Sequence, residues 1–237
     1  MKPSDRVTLP MGAVLELGEE VRINRRRTRA VMQGELDGVP VYVKVYRGLS
    51  GRWKGRRTAS KAQELRRRVS EVTPDLLYAG RALGVGWVLI YEALLDAETL
   101  DWLKHPAAND SAGATLQDLT GLMARLHRNG VWQRDTNLTN FVVAEGRFFL
   151  LDEDDLRFTE GGLKPDASMA NLASLLARVP WLDEAQLVSL LSEYAASRDW
   201  SRPDGQQVQQ FLAYVETEHA ARQKKRAKQE RNEDARE

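Results

Sequence analysis

The chain has 237 residues, and among them there is no cysteine and there are only three histidines. Without thiols it can form neither a disulfide framework nor a thiolate zinc site, and the scattered positions of His105, His127 and His219 argue against a histidine metal cluster. The amino terminus lacks the apolar segment of a secretory signal, and no apolar run approaches the roughly 18–20 residues of a membrane-spanning helix. We therefore expect a cytoplasmic protein, either freely soluble or peripherally associated with a membrane.

The net charge of +1 hides a strong asymmetry along the chain. Residues 1–70 contain 17 Lys or Arg and 7 Asp or Glu, a net charge of +10, whereas the rest of the chain has a net charge of −9. Such a basic segment attracts polyanions, among them nucleic acid, anionic lipid head groups, nucleotide phosphates and acidic sugars. For any single cluster of arginines, a solvated surface is the alternative interpretation.

The first 92 residues are predicted to be mostly β structure with one helix. Alternating apolar residues indicate strands within residues 14–45, with Asp37-Gly38 as a hairpin turn. A basic loop with glycines follows at residues 48–55, and helical spacing of apolar residues predicts a helix over residues 57–72. Two further strands are predicted at residues 76–79 and 86–92.

Beyond residue 93 the apolar spacing is mostly helical. Helices are predicted at residues 98–103, 115–128, 169–179, 184–197 and 206–222. Two apolar strands, residues 141–143 and 148–151, lie between the second and third of them, and the charged tail, residues 220–237, is expected to be a frayed helix or a disordered end. We predict an α+β fold with a β-rich lobe (residues 1–92), a mainly helical lobe (residues 93–219) and a cleft between them.

The segment from residue 126 to residue 143 is the most informative part of the chain. Asp135 and Asn140 lie five residues apart between a predicted helix and an apolar strand, and Asp152 follows the next apolar strand. An acid, an amide and a second acid in this order are the groups that phosphoryl transfer from a metal-bound nucleotide needs. Asp135 would accept the hydroxyl proton, and Asn140 and Asp152 would hold Mg²⁺. Taken singly, Asp135 and Asn140 have a simpler interpretation as turn residues.

Four consecutive acids, Asp152-Glu153-Asp154-Asp155, follow the second apolar strand. Two unit charges about 4 Å apart repel by roughly 4 kcal/mol at an effective dielectric constant of 20, and a hard cation such as Mg²⁺ relieves that repulsion. Asp154 is expected to face the same side as Asp152 and to assist it as a metal ligand. A solvated acidic turn is the alternative. The phenylalanine and glycine of the common Asp-Phe-Gly motif are absent, which argues against a kinase-style activation switch.

A strand lysine and three glutamates are the predicted groups for nucleotide phosphates. Lys44 lies in the middle of a strand, where an inward-facing ammonium group needs an anionic partner. Glu64, 20 residues further on in the predicted helix, would pair with it, and such a pair holds the α and β phosphates of ATP. Glu71 is the rival partner, and an outward-facing Lys44 is the alternative. Glu92, at the start of the connector over residues 92–96, is assigned to cofactor binding.

The glycine-rich phosphate loop of protein kinases is absent from this chain. The equivalent region contains Asn24 and the arginines at positions 25, 26, 27 and 29. Two interpretations stay open: these side chains neutralise phosphates in place of backbone amides, or they bind the substrate.

Five stretches of the chain resemble the lipopolysaccharide kinase family, small bacterial enzymes that phosphorylate Kdo or heptose in the inner core. They are Val43-Lys44-Val45-Tyr46-Arg47-Gly48, Ala62-Gln63-Glu64-Leu65, residues 126–141, Leu151-Asp152-Glu153-Asp154 and Ala170-Asn171-Leu172-Ala173. The Asp-x-Asp pattern of residues 152–154 is more similar to this family than to ordinary protein kinases. The resemblance covers residues 29–180 and leaves the tail out.

The resemblance implies a protein-kinase-like fold, ATP and Mg²⁺ as cofactors, and a glycolipid acceptor at the cytoplasmic face of the inner membrane. Asp135 would be the catalytic base, and Lys44 and Glu64 would complete the catalytic set by positioning phosphates. Asn140, Asp152 and Asp154 would hold the metal. The basic amino-terminal part fits a polyanionic acceptor and an anionic membrane surface, and no nucleic-acid partner is expected. The oligomeric state and the phosphorylated sugar stay open.

Two other functions agree with the same residues. The stretch from Asp135 to Asn140 also resembles the small kinases associated with tRNA modification, so an atypical serine/threonine protein kinase is one alternative. The missing glycine-rich loop and the altered Asp-Phe-Gly motif favour a pseudokinase-like binding module as the other.

Overall fold

The computed structural model describes residues 5–23, 28–109 and 111–234, and it is an α+β structure. The strands are β1 (Asp5–Thr8), β2 (Val14–Ile23), β3 (Arg29–Leu36), β4 (Val39–Tyr46), β5 (Leu76–Ala82), β6 (Gly86–Glu92), β7 (Glu98–Thr99), β8 (Val131–Gln133), β9 (Phe141–Ala144), β10 (Arg147–Leu150) and β11 (Leu156–Phe158). The α-helices are α1 (Gly48–Arg68), α2 (Gly113–Arg128), α3 (Pro165–Leu176), α4 (Glu184–Ser197) and α5 (Gly205–Asp234), and short 3₁₀ helices span Leu100–Lys104, Pro106–Ala108 and Leu138–Asn140.

The chain forms two compact units. The first contains Met1–Ala97 together with Phe149–Asp154, and the second contains Glu98–Phe148 and Asp155–Glu237. The prediction drew a boundary after residue 92 and placed the acidic segment with residues 93–219. In the structure, residues 149–154 pack with the amino-terminal residues instead, and the amide of Leu150 donates a hydrogen bond to the carbonyl of Val72 at 2.7 Å.

The first unit is built on a six-stranded antiparallel sheet with the order β1-β2-β3-β4-β6-β5. The predicted hairpin between β3 and β4 is confirmed. Asp37 and Gly38 both have positive φ angles, 52° and 82°, as a two-residue turn that matches the twist of its strands requires.

Strand β4 separates an apolar core from a polar face. Val41, Val43 and Val45 are buried in the apolar cluster on one face of the sheet, so period-two alternation places Lys44 on the opposite face. Helix α1 covers that face, where Ala59 and Ala62 pack against Tyr46 and other apolar side chains. Lys44 therefore lies on a covered face of the sheet, and its side chain is only 12% exposed.

Helix α1 starts at Gly48 and not at residue 57, so the prediction of a loop over residues 48–55 is wrong. The glycines of this segment serve close packing. A Cβ atom on Gly55 would lie 2.3 Å from Cδ1 of Trp87, and one on Gly51 would lie 3.0 Å from the carbonyl carbon of Tyr46. Because glycine has no Cβ, the first half of the helix can approach the sheet closely.

The second unit contains α2 to α5 and several short strands. β7 pairs with β9, and β8 pairs with β11, both antiparallel. Helix α4 agrees with its predicted bounds, whereas the α-helix predicted at residues 98–103 is a two-residue strand followed by a 3₁₀ helix. Of the two expectations for the charged tail, the helix is observed, because α5 continues to Asp234.

No helix within the described residues combines the length and the apolar composition that crossing a bilayer requires.

Candidate functional site

Lys44 forms its ion pair with Glu153, an acid that the sequence did not single out. Lys44 Nζ lies 2.6 Å from Glu153 Oε2 and also donates to the carbonyl of Leu151 at 2.6 Å. The Glu153 side chain is 1% exposed, and its other oxygen lies 3.4 Å from the hydroxyl of Thr73. The strand lysine therefore has the anionic partner that its burial requires, and that partner belongs to the acidic segment of the same unit.

Glu64 is not the partner of Lys44 in this structure. It lies in α1, as predicted, and bonds to Arg67 and Arg68 at distances of 2.6–2.8 Å. These hydrogen bonds and the two positive charges lower the pKa of Glu64 to about 2. The rival glutamate, Glu71, follows the end of α1 and is exposed. The spacing from Lys44 to the helix was thus insufficient to identify the ion pair.

Asp154 is held by donors from the protein itself. Its carboxylate contacts Arg29 and Thr58, lies 3.0 Å from Lys54 Nζ and is only 5% exposed. Burial would raise the pKa of Asp154, but the hydrogen bond from Thr58 and the charges of Arg29 and Lys54 outweigh burial and lower it. Lys61 Nζ donates to the Asp154 carbonyl at 2.5 Å. A carboxylate saturated in this way does not fit the predicted metal-ligand role, because its oxygens already accept from other groups.

Asp152 is more accessible than its two neighbours. Its side chain is 20% exposed, one oxygen lies 3.5 Å from Arg29 Nη2, and the other accepts the amide of Asp154 at 3.2 Å. Burial would lower the pKa of Arg29, but the charges of Asp152 and Asp154 outweigh burial and raise it. Asp152 therefore keeps a partly exposed carboxylate that fits a hard cation.

Glu92 is the last residue of β6 and is exposed. Its amide donates to the carbonyl of Asp75 at 2.9 Å. Beside it, a cavity of about 650 Å³ is bordered by β2, β3, β4 and the connector residues 93–96. The lining includes Tyr42 and Leu94 together with several carboxylates, namely Glu16, Glu19, Glu35 and Asp96. The apolar part of this lining suits a nucleobase, whereas its acids disfavour phosphate groups.

The loop after β8 carries Asp135. Its Oδ1 accepts from Arg178 Nη2 at 3.3 Å and from the amide of Asn137 at 3.2 Å, and the described residues provide no hydrogen bond to Oδ2. The Asp135 amide donates to the side chain of Gln133 at 3.3 Å. With 46% of its side chain exposed, Asp135 presents one carboxylate oxygen that an acceptor hydroxyl can reach.

Asn140 is held against the same loop. Its Nδ2 donates to the carbonyl of Asp135 at 3.1 Å, so the amide orientation is fixed and Oδ1 is the oxygen left to accept. Amide oxygens are ligands for Mg²⁺. The structure thus brings Asp135 and Asn140 together, as the spacing of five residues predicted, and Asn140 fits a metal-ligand role.

A buried hydrogen-bond network supports the Asp135 loop. Asn171 donates to the carbonyl of Gln133 at 2.8 Å, so its oxygen is free to accept from Nε2 of His127 at 2.9 Å. Nδ1 of His127 then accepts from the hydroxyl of Tyr194 at 2.6 Å, and that hydroxyl accepts from Arg198 at 3.0 Å. Burial, which outweighs the hydrogen bond to Asn171, lowers the pKa of His127 to about 4. His127 is a neutral positioning residue in this arrangement.

The residues present fit a nucleotide-bound Mg²⁺ in part. Asn140 and Asp152 fit, and Asp154 does not. Within the described residues no three His, Cys, Asp or Glu side chains are grouped as a self-sufficient metal site. A cation at these residues would therefore depend on phosphate oxygens for much of its coordination, which is the usual mode for Mg²⁺. Asn24 and the arginines at positions 25–27 lie outside the described residues, and Arg29 binds acids and not an anion.

The comparisons with known proteins concern the fold alone. No protein family and no curated protein matches the chain. Among solved structures, the crystal structure of the BubR1 kinase domain is similar, with a TM-score of 0.53 at 14% sequence identity. The match covers 75% of this chain, and the chain spans only 64% of that domain's length. The fold is therefore protein-kinase-like, which confirms the prediction at this level.

Several residues of the site were not found from the sequence. Glu153 was visible as one of four acids, but nothing in the run distinguishes the acid that meets Lys44. Arg178 follows α3 and carried no motif signal. Asn171 belonged to one of the quoted stretches, and its polar side chain within an apolar helical pattern was the available clue to a buried hydrogen bond.

Proposed function

We propose that the protein is an ATP-dependent phosphotransferase that transfers the γ-phosphate to an alcohol hydroxyl. The observation that carries the proposal is the Asp135 loop: a half-exposed carboxylate with one unbonded oxygen, and an asparagine fixed on the carbonyl of the same residue. The protein-kinase-like fold supports it. In such folds an aspartate and an asparagine in one loop orient the hydroxyl and bind metal.

The roles follow from the groups that each side chain has left available. Asp135 Oδ2 orients the acceptor hydroxyl and takes its proton late in the transfer, for which an ordinary carboxylate suffices because the transition state is loose. Asn140 Oδ1 and Asp152 are assigned to Mg²⁺, which when bound would neutralise the charge on the transferred phosphate. Lys44 is assigned to the nucleotide phosphates, with Glu153 in place of Glu64 as its fixed carboxylate partner.

For the acceptor we propose a sugar of the lipopolysaccharide inner core, Kdo or heptose. Support comes from the resemblance of the five stretches and from the basic amino-terminal 70 residues, which suit an anionic glycolipid and an anionic membrane surface. The proposed location is accordingly cytoplasmic, with peripheral attachment to the cytoplasmic face of the inner membrane.

The proposal is tested by incubating the protein with radiolabelled ATP, Mg²⁺ and either dephosphorylated core oligosaccharide or a protein lysate. We expect label in the oligosaccharide, and we expect Asp135→Ala to abolish it while the far-UV circular dichroism stays unchanged. Asp118→Ala, at an exposed position of α2, is the matched control and should keep full activity. Turnover by the Asp135 variant at the wild-type rate would refute the mechanism, and label in protein alone would identify a protein kinase.

A pseudokinase-like binding module is the second proposed function, and one observation favours it. Lys44 and Asp154 are both engaged in internal ion pairs, so two groups assigned to phosphates and metal already have partners. Calorimetry of ATP binding with and without Mg²⁺ distinguishes the two functions. Binding that is absent, or that does not depend on Mg²⁺, would favour the binding module.

A further inference from the structure

The second unit contains a basic cavity of about 370 Å³. It lies between the 3₁₀ helix Leu100–Lys104, the end of α3 and helix α5. Its lining residues are Lys104, Asn137, Ala177, Arg178, Pro180, His219, Arg222 and Gln223. Three of these are cationic and none is acidic. Small-ligand sites typically have volumes of about 300–1,000 Å³, so the cavity has room for one sugar-sized group.

Three buried nitrogens of this lining lack a hydrogen-bond partner. They are Nε of Arg178, Nε of Arg222 and Nε2 of His219, and none has a partner among the residues that the structure describes. A buried polar group without a partner costs about 1–3 kcal/mol, so three of them around one cavity are a concentrated deficit. A ligand that accepts hydrogen bonds would remove it.

The carboxylates near the cavity pair with its cations and leave the lining itself basic. Arg178 contacts Asp135 at 3.3 Å, Arg222 contacts Glu218 at 3.0 Å, and Lys104 contacts Asp101. Burial, followed by the charge of Arg222, lowers the pKa of Arg178 despite the opposing effect of Asp135. The two guanidinium groups therefore repel each other, and an anion between them would relieve that repulsion.

Arg178 connects the cavity to Asp135. Its guanidinium lines the cavity and also donates to the carboxylate that we assign as the base. Asn137 lines the cavity too, and its amide bonds to the same carboxylate oxygen. A group bound in the cavity would thus lie beside the loop that receives the acceptor hydroxyl.

We propose that this cavity is an oxyanion site for the acceptor: Arg178 and Arg222 bind a phosphate or carboxylate group of the molecule whose hydroxyl meets Asp135. Guanidinium groups suit both oxyanions because their planar donors match the oxygen geometry. The proposal deepens and rests on the proposed function, since only a phosphotransferase needs an acceptor there. It predicts that the acceptor carries a negative charge before it is phosphorylated.

The test uses inorganic phosphate as the probe and the histidine side chains as reporters. Each of the three histidines gives its own imidazole resonance, and only His219 lines the cavity, whereas His105 is exposed and His127 is buried elsewhere in the same unit. At constant pH and ionic strength, phosphate should shift the His219 signal in a saturable way and leave the other two in place. Chloride should have no such effect, and an acetate titration distinguishes carboxylate from phosphate preference.

Variants identify the residues that bind. Arg222→Gln should weaken phosphate binding about tenfold or more, as expected for a lost charge-assisted hydrogen bond, while Lys225→Gln, an exposed change on the same helix, should leave it unchanged. The unmoved signal of His127 verifies that each variant is folded, and Lys104→Gln at the cavity rim serves as a second variant if Arg222→Gln unfolds. A His219 signal unmoved by phosphate, or equal weakening by Lys225→Gln, would overturn the proposal.

The outcome is separable from that of the proposed function. Phosphate binding at His219 is measured without ATP and without turnover. Failure of the phosphate titration in a wild-type protein that transfers phosphate to an acceptor would remove this site and keep the enzyme. Saturable phosphate binding in a protein without any phosphotransfer would instead support an oxyanion site in a binding module.

Discussion

The two regions that contain the predicted functional acids treat those acids in opposite ways. In the first unit, Glu153 and Asp154 are almost inaccessible and are surrounded by Lys44, Arg29 and other donors of the same unit. In the second unit, Asp135 is half-exposed and has one oxygen without a hydrogen bond from any described residue. Both regions look alike in the sequence, as acids after apolar strands.

The difference separates stability from function. A buried carboxylate with complete partners contributes to the fold, and its partners make it unavailable to a ligand. A partly exposed carboxylate that is oriented but not saturated is available for chemistry. The comparison therefore predicts that substitutions in the first region mainly change stability, whereas those in the Asp135 loop mainly change turnover.

The largest effect on stability is expected from Glu153→Gln. Removing one charge of a buried pair leaves Lys44 uncompensated, which typically costs about 3–5 kcal/mol. The free energy of unfolding from urea titration measures this loss. Asp135→Asn, which keeps the size of the side chain at a half-exposed position, should cost less than about 1 kcal/mol. Equal losses in the two variants would break the comparison.

A second effect concerns pH and the buried histidine behind the Asp135 loop. The pKa of His127 is about 4 in the folded protein, below its ordinary value of 6.5, so the unfolded chain takes up the proton first as the pH falls. Stability is therefore lost between pH 6.5 and pH 4, by at most about 3 kcal/mol. Urea titrations across that range should show a steeper decline for the wild type than for His127→Gln.

The exposed His105 provides the control for this measurement. His105→Gln should keep the wild-type decline, since carboxylates contribute equally to both proteins. A decline that is unchanged in His127→Gln would show that His127 does not resist protonation.

A smaller effect distinguishes the glycines of α1 from one in α2. Gly55→Ala would place a methyl group 2.3 Å from Trp87 Cδ1, and overpacking of this kind costs about 1–3 kcal/mol. Gly121→Ala, in α2 with no atom within 4 Å of the added Cβ, should gain about 0.5–1 kcal/mol because alanine favours helix. Thermal unfolding should show opposite shifts. A stabilising Gly55→Ala would mean that the glycine is not needed for packing.

The sequence predicted local patterns well and side-chain partnerships poorly. The Asp135 loop, the Asp37-Gly38 turn and α4 follow from neighbouring residues, so periodicity and turn chemistry were enough to place them. The start of α1 could not be predicted, because the reason for Gly51 and Gly55 is the closeness of Trp87 and Tyr46 from distant strands. A glycine that breaks a helix and one that lets a helix pack are identical in sequence.

The same limit explains the errors at the acids. The partner of Lys44 was sought 20 residues away in a helix, whereas it lies 109 residues away in sequence. Which of four adjacent acids turns inward is decided by tertiary contacts and not by their order. The saturation of Asp154 depends on Arg29, Lys54 and Thr58, whose convergence no local pattern records.

The smallest effect is expected from Glu64→Gln, and it sharpens the comparison at Lys44. Glu64 is fully exposed and pairs with Arg67 and Arg68, and surface pairs of this type contribute little to stability. The substitution should change neither the free energy of unfolding nor the affinity for ATP in the presence of Mg²⁺, as measured by calorimetry. Glu71→Gln, the exposed rival, is the matched control and should behave identically. Tenfold weaker ATP binding in Glu64→Gln alone would mean that Lys44 exchanges Glu153 for Glu64 when nucleotide binds, so that the acidic segment is released from its internal ion pairs by the ligand itself.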